Sequence, residues 1–191
     1  MIDTLSVIIP TTGRPSLLVT LESLRNQDWI SGDEIILAYD GVVPPDFYSS
    51  ISSFSGLPIK VRGVDDGPHY DWGHTPRNKV MPTVEAKWLC HIDDDDIYVD
   101  GAISMIRSTV SGTSAPHMFR MVNKNGTEVW RVQGALVFGN VATPCIVHPR
   151  MDSYPYWISK VGGDCDFISA ILRAYPPFSV LWHETVIARV S

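Results

Sequence analysis

The chain has 191 residues, of which 45% are hydrophobic and 19% charged, and its formal net charge is −6. This length suits one domain with a substantial core, and the acidic balance argues against a broad basic surface that binds nucleic acid. No stretch approaches the roughly 18 apolar residues of a membrane span, and the first residues lack the pattern of a secretory signal. Three cysteines at unrelated spacings, Cys90, Cys145 and Cys165, predict neither a disulfide framework nor a zinc motif. We therefore expect a cytoplasmic protein.

The first half of the chain alternates strands with helices. Apolar segments rich in β-branched residues predict buried strands at residues 5–10, 34–39, 59–63 and 88–92. Helices are predicted after Pro15, over residues 45–53, after Thr75 as an N-cap, and over residues 101–108. Pro82 predicts a kink or a break in the helix that follows Thr75. This alternation is typical of an α/β fold with a mostly parallel sheet and crossover helices.

The second half has a mixed α+β pattern. Strands are predicted at residues 118–122, 128–132, 135–138 and 145–148, and residues 123–126 are predicted to form a hairpin turn. A helix beginning near Asp164 should carry Phe167, Ile168, Ile171 and Leu172 on one face. Residues 178–190 are expected to be extended around His183.

Four consecutive aspartates, Asp93 to Asp96, follow the predicted strand at residues 88–92 without a break. Two carboxylates about 5 Å apart repel by roughly 3 kcal/mol at an effective dielectric constant near 20, so a run held between core segments favours a bound cation. In an extended segment alternate residues point the same way, which places Asp93 and Asp95 at one site and turns Asp94 and Asp96 away. The alternative is an acidic loop that only begins the next helix.

Polar residues follow several strands of the predicted sheet at the points where the strands end. Pro10, Thr11 and Thr12 end the first strand, Asp40 follows the second, and the aspartate run follows the fourth. Ligands of open α/β sheets bind at the carboxyl ends of the strands. The sequence therefore predicts a ligand site at this edge.

Five segments resemble, in order, motifs of the GT-A glycosyltransferases, most closely those of family 2. They are residues 6–14 (SVIIPTTGR), 33–41 (DEIILAYDG), 73–79 (GHTPRNK), the aspartate run, and 162–167 (GGDCDF). The resemblance implies a single Rossmann-like GT-A domain over residues 1–191. Its nucleotide-sugar-binding half would comprise residues 1–100 and its acceptor-binding half residues 101–191.

The resemblance also implies which residues bind the donor, a nucleotide-sugar that is usually a uridine diphosphate sugar. Pro10, Thr11, Thr12 and Asp40 would hold the base and the ribose, with Arg14 in the same motif. Asp40 could equally be a turn residue of its Asp-Gly pair. Arg77 would lie near the diphosphate or the base, because guanidinium matches phosphate geometry, or it could lie at the surface.

In the aspartate run, the resemblance to the DxD motif assigns Asp93 to the ribose or sugar, Asp94 to the middle position and Asp95 to a metal ion. A shift to Asp94 and Asp96 stays open. All-oxygen ligation suits Mn²⁺ or Mg²⁺, which would stabilise the charge of the leaving diphosphate. His183 is a candidate further metal ligand, with a structural role as the alternative.

The start of the helix near Asp164 resembles the position of the family's general base. The family usually has Glu-Asp there, whereas this chain has Gly163 before Asp164. Asp164 is therefore the expected base and Asp166 the substitute, and the alternative is that Asp164 only caps its helix. Two further predictions concern aromatic residues. Tyr154, Tyr156 and Trp157 form a platform for a sugar acceptor or pack in the core, and His91 lies in the core.

The predicted function is a metal-dependent, inverting transfer of a hexosyl or deoxyhexosyl group from a nucleoside-diphosphate sugar to a hydroxyl of a glycan or another acceptor. The chain could be a domain of a larger polypeptide. A nucleotidyltransferase on a similar fold is a second hypothesis, although no Gly-rich phosphate loop with a partnering lysine follows the first strand. A calcium-dependent carbohydrate-binding module is the third, although the run lacks the alternating ligands and central glycine of an EF-hand loop.

Overall fold

The computed structural model describes residues 3–129, 135–176 and 179–190. Within these ranges the strands are β1 (Leu5–Thr11), β2 (Glu34–Tyr39), β3 (Ile59–Gly63), β4 (Trp88–His91), β5 (Asp96–Tyr98), β6 (His117–Val122), β7 (Glu128–Val129), β8 (Ile146–Pro149) and β9 (Leu181–Val190). The α-helices are α1 (Ser16–Arg25), α2 (Pro45–Ser50), α3 (His74–Val80), α4 (Ala102–Val110) and α5 (Gly163–Arg173). Short 3-10 turns lie at Ser52–Phe54, Met81–Thr83 and Thr143–Cys145. None of the described helices is long and apolar enough to cross a membrane.

All the strands belong to one sheet, in the order β3-β2-β1-β4-β8-β6-β9-β5, with β7 paired to β6. The block β3-β2-β1-β4 is parallel, and every residue of β1 is buried. Because β1 is buried on both faces, it needs apolar side chains on both, which explains its continuous run of Val and Ile. The carboxyl ends of β1, β2 and β4 consequently meet at one edge.

The second half continues the same sheet with mixed pairing. β8 runs antiparallel to β4 and β6, while β9 runs parallel to β6 and antiparallel to β5. The α/β class with helices around a sheet is confirmed. The strand β5 was not predicted, because a three-residue strand that begins at the last of four aspartates is too short to have a clear sequence signal of its own.

Helices α1 and α5 use the faces that their sequences indicate. Leu17, Leu21 and Leu24 are buried on α1, whereas Leu18 is largely exposed. On α5 all four predicted apolar residues are buried, namely Phe167, Ile168, Ile171 and Leu172. Apolar burial of this kind stabilises by roughly 25 cal/mol per Å², so these faces fix both helices on the sheet.

Two predictions about the ends of α3 have different outcomes. The helix ends at Val80, before Pro82, so the predicted break is confirmed. The N-cap role of Thr75 is wrong, because the helix already begins at His74. The carboxylate of Asp71 instead accepts hydrogen bonds from the backbone N–H of Thr75 at 2.9 Å and from its hydroxyl at 2.6 Å.

The strand predictions of the second half are partly correct. The hairpin between β6 and β7 forms at the predicted turn, and Gly126 there has a φ of +78°. Of the predicted strand at 128–132, residues 128 and 129 are strand, and the rest lies outside the described residues. The predicted strand at 135–138 is wrong, because only Phe138 makes an isolated bridge, to Val141. Residues 135–138 lie in a loop, and Phe138 of this loop lines a cavity that is described below.

Candidate functional site

A cavity of about 420 Å³ opens at the carboxyl ends of β1, β2 and β4. Its lining residues are Pro10, Thr11, Thr12, Arg14, Asp40, Tyr70, Asp71, Trp72, Gly73, Asp93, Asp94 and Asp95. All the residues that were predicted to bind the nucleotide-sugar are among them except Arg77. The parallel strand order therefore brings together groups that are more than 80 residues apart in the chain.

The aspartate run forms a turn, in which the backbone N–H of Asp96 donates to the carbonyl of Asp93 at 3.2 Å. Asp93, Asp94 and Asp95 all line the cavity, and Asp96 does not. The expectation that Asp94 faces away is wrong, because the alternation of an extended chain does not apply in a turn. Burial, together with repulsion from Asp93 and Asp95, raises the pKa of Asp96 to about 8.

Arg14 neutralises much of the charge of the run. Its guanidinium pairs with the buried carboxylate of Asp94 and lies 3.5 Å from a carboxylate oxygen of Asp95. Asp94 also accepts a hydrogen bond of 2.7 Å from the hydroxyl of Thr11, which fixes its orientation. The pairing with Asp94 raises the pKa of Arg14 further. The Arg14 side chain is half exposed, so it also faces the cavity.

Arg77 is buried, with only 1% of its surface exposed, so the alternative of a surface role is wrong. It pairs with Asp93 and donates to the carbonyl oxygen of Trp72 at 3.2 Å. Its guanidinium stacks over the ring of Trp157 at 4.8 Å. Arg77 therefore supports the cavity wall from behind, through Asp93.

Asp40 lies at the cavity, and its carboxylate holds the loop before α3. The two oxygens accept from the backbone N–H of His69 at 2.9 and 3.0 Å and from that of Tyr70 at 3.2 Å. The ring Nδ1 of His69 lies 2.7 Å from one of them. In this arrangement Asp40 shapes the cavity through the loop that it anchors.

A second, smaller cavity of about 230 Å³ adjoins the first, and Trp72 and Asp93 line both. Its other lining residues are His74, Phe138, Thr143, Lys160, Val161, Gly162, Gly163 and Asp164. Asp164 lies in the first turn of α5, and burial raises the pKa of its carboxyl group. A raised pKa makes a carboxylate a stronger base, which suits the expected role.

Asp166, the substitute base, pairs with Lys160 at 2.5 Å and does not line either cavity. The alternative role of Asp164, to cap the start of α5, is not observed. The residue preceding α5 is Gly162, with no side-chain cap, and Asp164 accepts a hydrogen bond of 2.8 Å from the N–H of Cys165. Of the two candidate bases, Asp164 is thus the one that lines the smaller cavity.

The prediction that His183 shares a metal site with Asp95 is wrong. His183 lies near the start of β9, whereas the aspartate run pairs with the end of that strand, where Asp96 is opposite Val190. Seven residues at about 3.3 Å each separate His183 from Val190 by roughly 20 Å. The ring of His183 instead contacts His117 at 2.9 Å and stacks on Phe119.

The side chains at the larger cavity can be compared with the ligands that divalent metal ions require. Over residues 3–129, 135–176 and 179–190, no group of three or more His, Cys, Asp and Glu side chains could hold a metal ion. Mg²⁺ and similar ions at substrate phosphates are often held by one or two carboxylates, with phosphate oxygens and water as the other ligands. Asp95 is half exposed and lines the cavity next to Asp93. These two carboxylates therefore fit a site in which the ion is also held by phosphate oxygens and water.

The aromatic residues at the cavities are not the predicted ones. Trp157 is buried and stacks on Phe167 at 4.1 Å, which confirms packing as its role. Tyr154 is half-buried, and the exposed Tyr156 lines neither cavity. The residues that the sequence reasoning missed are Trp72 and His74. The sequence signal that could have identified Trp72 is an aromatic residue in a loop that is otherwise rich in Asp and Gly.

His91 lies in the core, as predicted. It is fully buried, and its Nε2 lies 3.0 Å from Nε2 of His148. Burial moves its pKa well below the ordinary value, so the ring is neutral.

The mostly parallel first half of the sheet, its flanking helices and the acidic turn at the carboxyl edge of the strands are consistent with a GT-A glycosyltransferase fold. Residues 6–147 match the sequence profile of Glycosyl transferase family 2, and the chain belongs to this family. A comparison with curated protein sequences found no match.

The fold is similar to solved structures of S. aureus TarS. A structure of TarS residues 1–349 in complex with UDP is 15% identical, with a TM-score of 0.75, and the match covers 98% of this chain and 60% of that one. One in complex with UDP-GlcNAc is 16% identical, with a TM-score of 0.73 and coverage of 98% and 58%. A further TarS structure is 14% identical, with a TM-score of 0.74, and this chain spans 36% of its length. At these identities the likeness shows the fold.

Proposed function

We propose that this chain transfers a sugar from a nucleoside-diphosphate sugar to an acceptor hydroxyl, with inversion at the anomeric carbon. The observation that carries the proposal is the pair of adjoining cavities that share Asp93 and Trp72. One contains the acidic turn, and the other contains Asp164. A donor and an acceptor bound in the two cavities would meet at their shared wall.

Uridine diphosphate is the proposed nucleotide. TarS, which has the same fold, has been solved with UDP and with UDP-GlcNAc. Pro10, Thr11, Thr12 and Asp40 would surround the base and the ribose, and Asp93 and Asp94 would lie near the ribose or sugar. The larger cavity is lined only by residues below 100, in keeping with a donor half at 1–100 and an acceptor half at 101–191.

In the proposed reaction, Asp164 accepts the proton of the acceptor hydroxyl. The acceptor oxygen forms a bond to the anomeric carbon while the bond from that carbon to the phosphate oxygen breaks. The bonding electrons leave with the nucleoside diphosphate. A well-placed base contributes on the order of 10²–10⁴ in rate, and its raised pKa keeps proton transfer to it favourable.

The leaving diphosphate gains negative charge, which needs positive charge at the larger cavity. Arg14 can donate hydrogen bonds to phosphate oxygens, and Arg77 holds Asp93 in place. Asp95, with Asp93 beside it, would hold Mn²⁺ or Mg²⁺. When bound, such an ion would act as a Lewis acid that stabilises the diphosphate.

A thermal-shift screen of UDP-, GDP- and dTDP-sugars, each with and without Mn²⁺, tests the proposal. A ligand at 100 times its dissociation constant stabilises the folded protein by roughly 2.7 kcal/mol. We expect the largest shift with a UDP-sugar, greater with Mn²⁺ present, and UDP release on incubation. No shift with any nucleotide-sugar would refute the proposal, and pyrophosphate release from UTP plus a sugar phosphate would indicate nucleotidyl transfer instead.

A further inference from the structure

The loop between β3 and α3 presents two aromatic side chains to solvent. Tyr70 and Trp72 are 80% and 64% exposed, and both have positive φ angles, +53° and +58°. This conformation is unfavourable for residues other than glycine and persists only where the surroundings impose it. Here Asp40 holds the backbone of His69 and Tyr70, and the buried Asp71 holds Thr75. The loop is therefore anchored so that its aromatic residues point outward.

Trp72 lies at the boundary of the two cavities, whereas Tyr70 lines only the larger one. One edge of the Trp72 indole is supported by His74, with ring centroids 6.0 Å apart. Two more exposed apolar side chains, Phe138 and Val161, line the smaller cavity. An exposed apolar patch beside a cavity indicates a surface that a ligand covers.

The smaller cavity also carries polar side chains, which are His74, Asp93, Thr143, Lys160 and Asp164. Its volume of about 230 Å³ is below the range of roughly 300–1,000 Å³ that is usual for drug-sized ligands, so it fits one small ring. An aromatic wall beside a few hydrogen-bonding groups suits a ligand with an apolar face and a polar edge. A pyranose has this form, because its C–H groups lie on one face and its hydroxyls on its rim.

We propose that the acceptor is a saccharide whose terminal pyranose ring stacks on the indole of Trp72 in the smaller cavity, with its reacting hydroxyl toward Asp164. This inference rests on the proposed function, since it names the acceptor class of that site. A flexible polyol lacks a rigid apolar face, and a lipid chain would meet the carboxylates of Asp93 and Asp164. The lining therefore favours the sugar ring over both.

The experiment uses methyl β-D-glucopyranoside and methyl 2-acetamido-2-deoxy-β-D-glucopyranoside as probes, with glycerol and N-acetylserine methyl ester as non-saccharide hydroxyl compounds. Binding to the protein saturated with UDP is measured by saturation-transfer-difference NMR, and UDP affinity is measured separately by calorimetry. The variants are Trp72→Leu, which keeps an apolar side chain, and Trp72→Tyr, which keeps an aromatic face. Tyr156→Ala is the matched control, because Tyr156 is 75% exposed and lines neither cavity.

We expect a glycoside to bind the wild type, with nuclear Overhauser contacts between its ring protons and an indole. Trp72→Leu should weaken that binding by about tenfold or more, Trp72→Tyr by less than about threefold, and Tyr156→Ala should not change it. UDP affinity should stay the same in Tyr156→Ala, and because Trp72 also lines the larger cavity, it should change in the Trp72 variants by less than the glycoside affinity does. Equal glycoside binding in wild type and Trp72→Leu would overturn the inference, as would preferential binding of glycerol or the serine ester.

Two further outcomes separate this inference from the proposed function. If UDP binds and no glycoside does, the acceptor assignment is wrong while the donor assignment stands. If Trp72→Leu weakens UDP binding as much as it weakens glycoside binding, Trp72 acts at the donor site and the inference is overturned. If the wild type does not bind UDP, both the proposed function and the inference fail.

Discussion

At the scale of single residues, the charge of the acidic turn is balanced by two arginines of different character. Arg77 is buried behind Asp93 and stacks on Trp157, so it fixes the part of the cavity wall that Asp93 forms. Arg14 is half exposed beside Asp94 and Asp95, so it can turn to a diphosphate without unfolding any element. Breaking a buried pair costs more than breaking an exposed one, because a buried charge left alone has no water to solvate it.

The first prediction concerns Asp164. Asp164→Asn should lower the rate of UDP release from a UDP-sugar in the presence of acceptor by about 10²–10⁴-fold, without changing UDP affinity. Burial raises the pKa of Asp164, and the base must be deprotonated. The wild-type rate should therefore fall with decreasing pH in a range above that of an ordinary carboxyl group.

The control for this prediction is Asp166→Asn, since Asp166 pairs with Lys160 and does not itself line either cavity. It should change the rate by no more than about threefold, as is usual for an exposed ion pair. A larger loss in Asp166→Asn than in Asp164→Asn would show that the base has been assigned to the wrong carboxylate.

The second prediction compares two proposed metal ligands. Asp95→Asn should raise the Mn²⁺ concentration needed for half-maximal activity by about tenfold or more, because it removes a carboxylate from the cavity. His183→Gln should leave that concentration unchanged, because His183 contacts His117 and Phe119 far from the acidic turn. A Mn²⁺ titration of donor turnover measures both. An equal effect of the two substitutions would contradict the geometry.

At the scale of elements, the start of α5 depends on the absence of a side chain at residue 163. A Cβ there would lie 2.3 Å from the carbonyl oxygen of Ile158 and 2.6 Å from Cε1 of His74. The Glu that the family resemblance leads one to expect cannot fit without a shift of this backbone. The ring of His74 takes up the space and lines the smaller cavity.

The third prediction follows from this contact. Gly163→Ala should lower the free energy of unfolding by about 1–3 kcal/mol, the usual cost of overpacking. Gly56→Ala is the matched control, because a Cβ at Gly56 would meet nothing within 4 Å, and it should change stability by less than about 0.5 kcal/mol. Urea unfolding followed by circular dichroism measures both. Equal stability of the two variants would mean that the backbone at Ile158 moves freely.

At the scale of the whole molecule, the sheet encloses histidines that are held neutral. His148 contacts the carbonyl oxygen of Pro149 through Nδ1 at 2.9 Å and His91 through Nε2. Burial lowers the pKa of His148 and of His117 to about 4. In the unfolded chain a histidine takes up a proton below about pH 6.5. Stability contributed by each neutral ring is therefore lost as the pH falls from about 6.5 toward 4.

Asp96 acts in the opposite direction, because its raised pKa of about 8 favours the protonated form in the folded protein. Its contribution to stability grows as the pH falls from about 8 toward the ordinary carboxyl value of about 4. The net dependence of stability on pH is the sum of both effects, so variants are needed to separate them.

The fourth prediction separates these contributions by thermal unfolding between pH 8 and 4. His148→Gln should differ from the wild type most near pH 7, and the gap should narrow by up to about 3 kcal/mol toward pH 4. Asp96→Asn should lose stability more steeply than the wild type on acidification. A gap for His148→Gln that stays constant with pH would contradict the assignment of a neutral buried ring.

Much of the fold could be predicted because its signals are local. The period and length of the apolar segments predicted β1 to β4 and helices α1, α4 and α5, and Pro82 itself predicted the break after α3. The parallel arrangement then placed Thr11, Asp40 and the aspartate run at one edge. By itself the sequence thus determined the α/β class, the resemblance to family 2 and most of the residues that meet at the larger cavity.

The tertiary structure alone decided which side chains face that site. The turn at Asp93 to Asp96 directs three carboxylates into the cavity, and the register of β9 places His183 roughly 20 Å away. Trp72 lines both cavities in a loop whose residues His69 and Tyr70 are held by Asp40, which directly follows β2. Each of these outcomes depends on contacts between residues distant in the chain, and such contacts leave no periodic or compositional signal in the sequence.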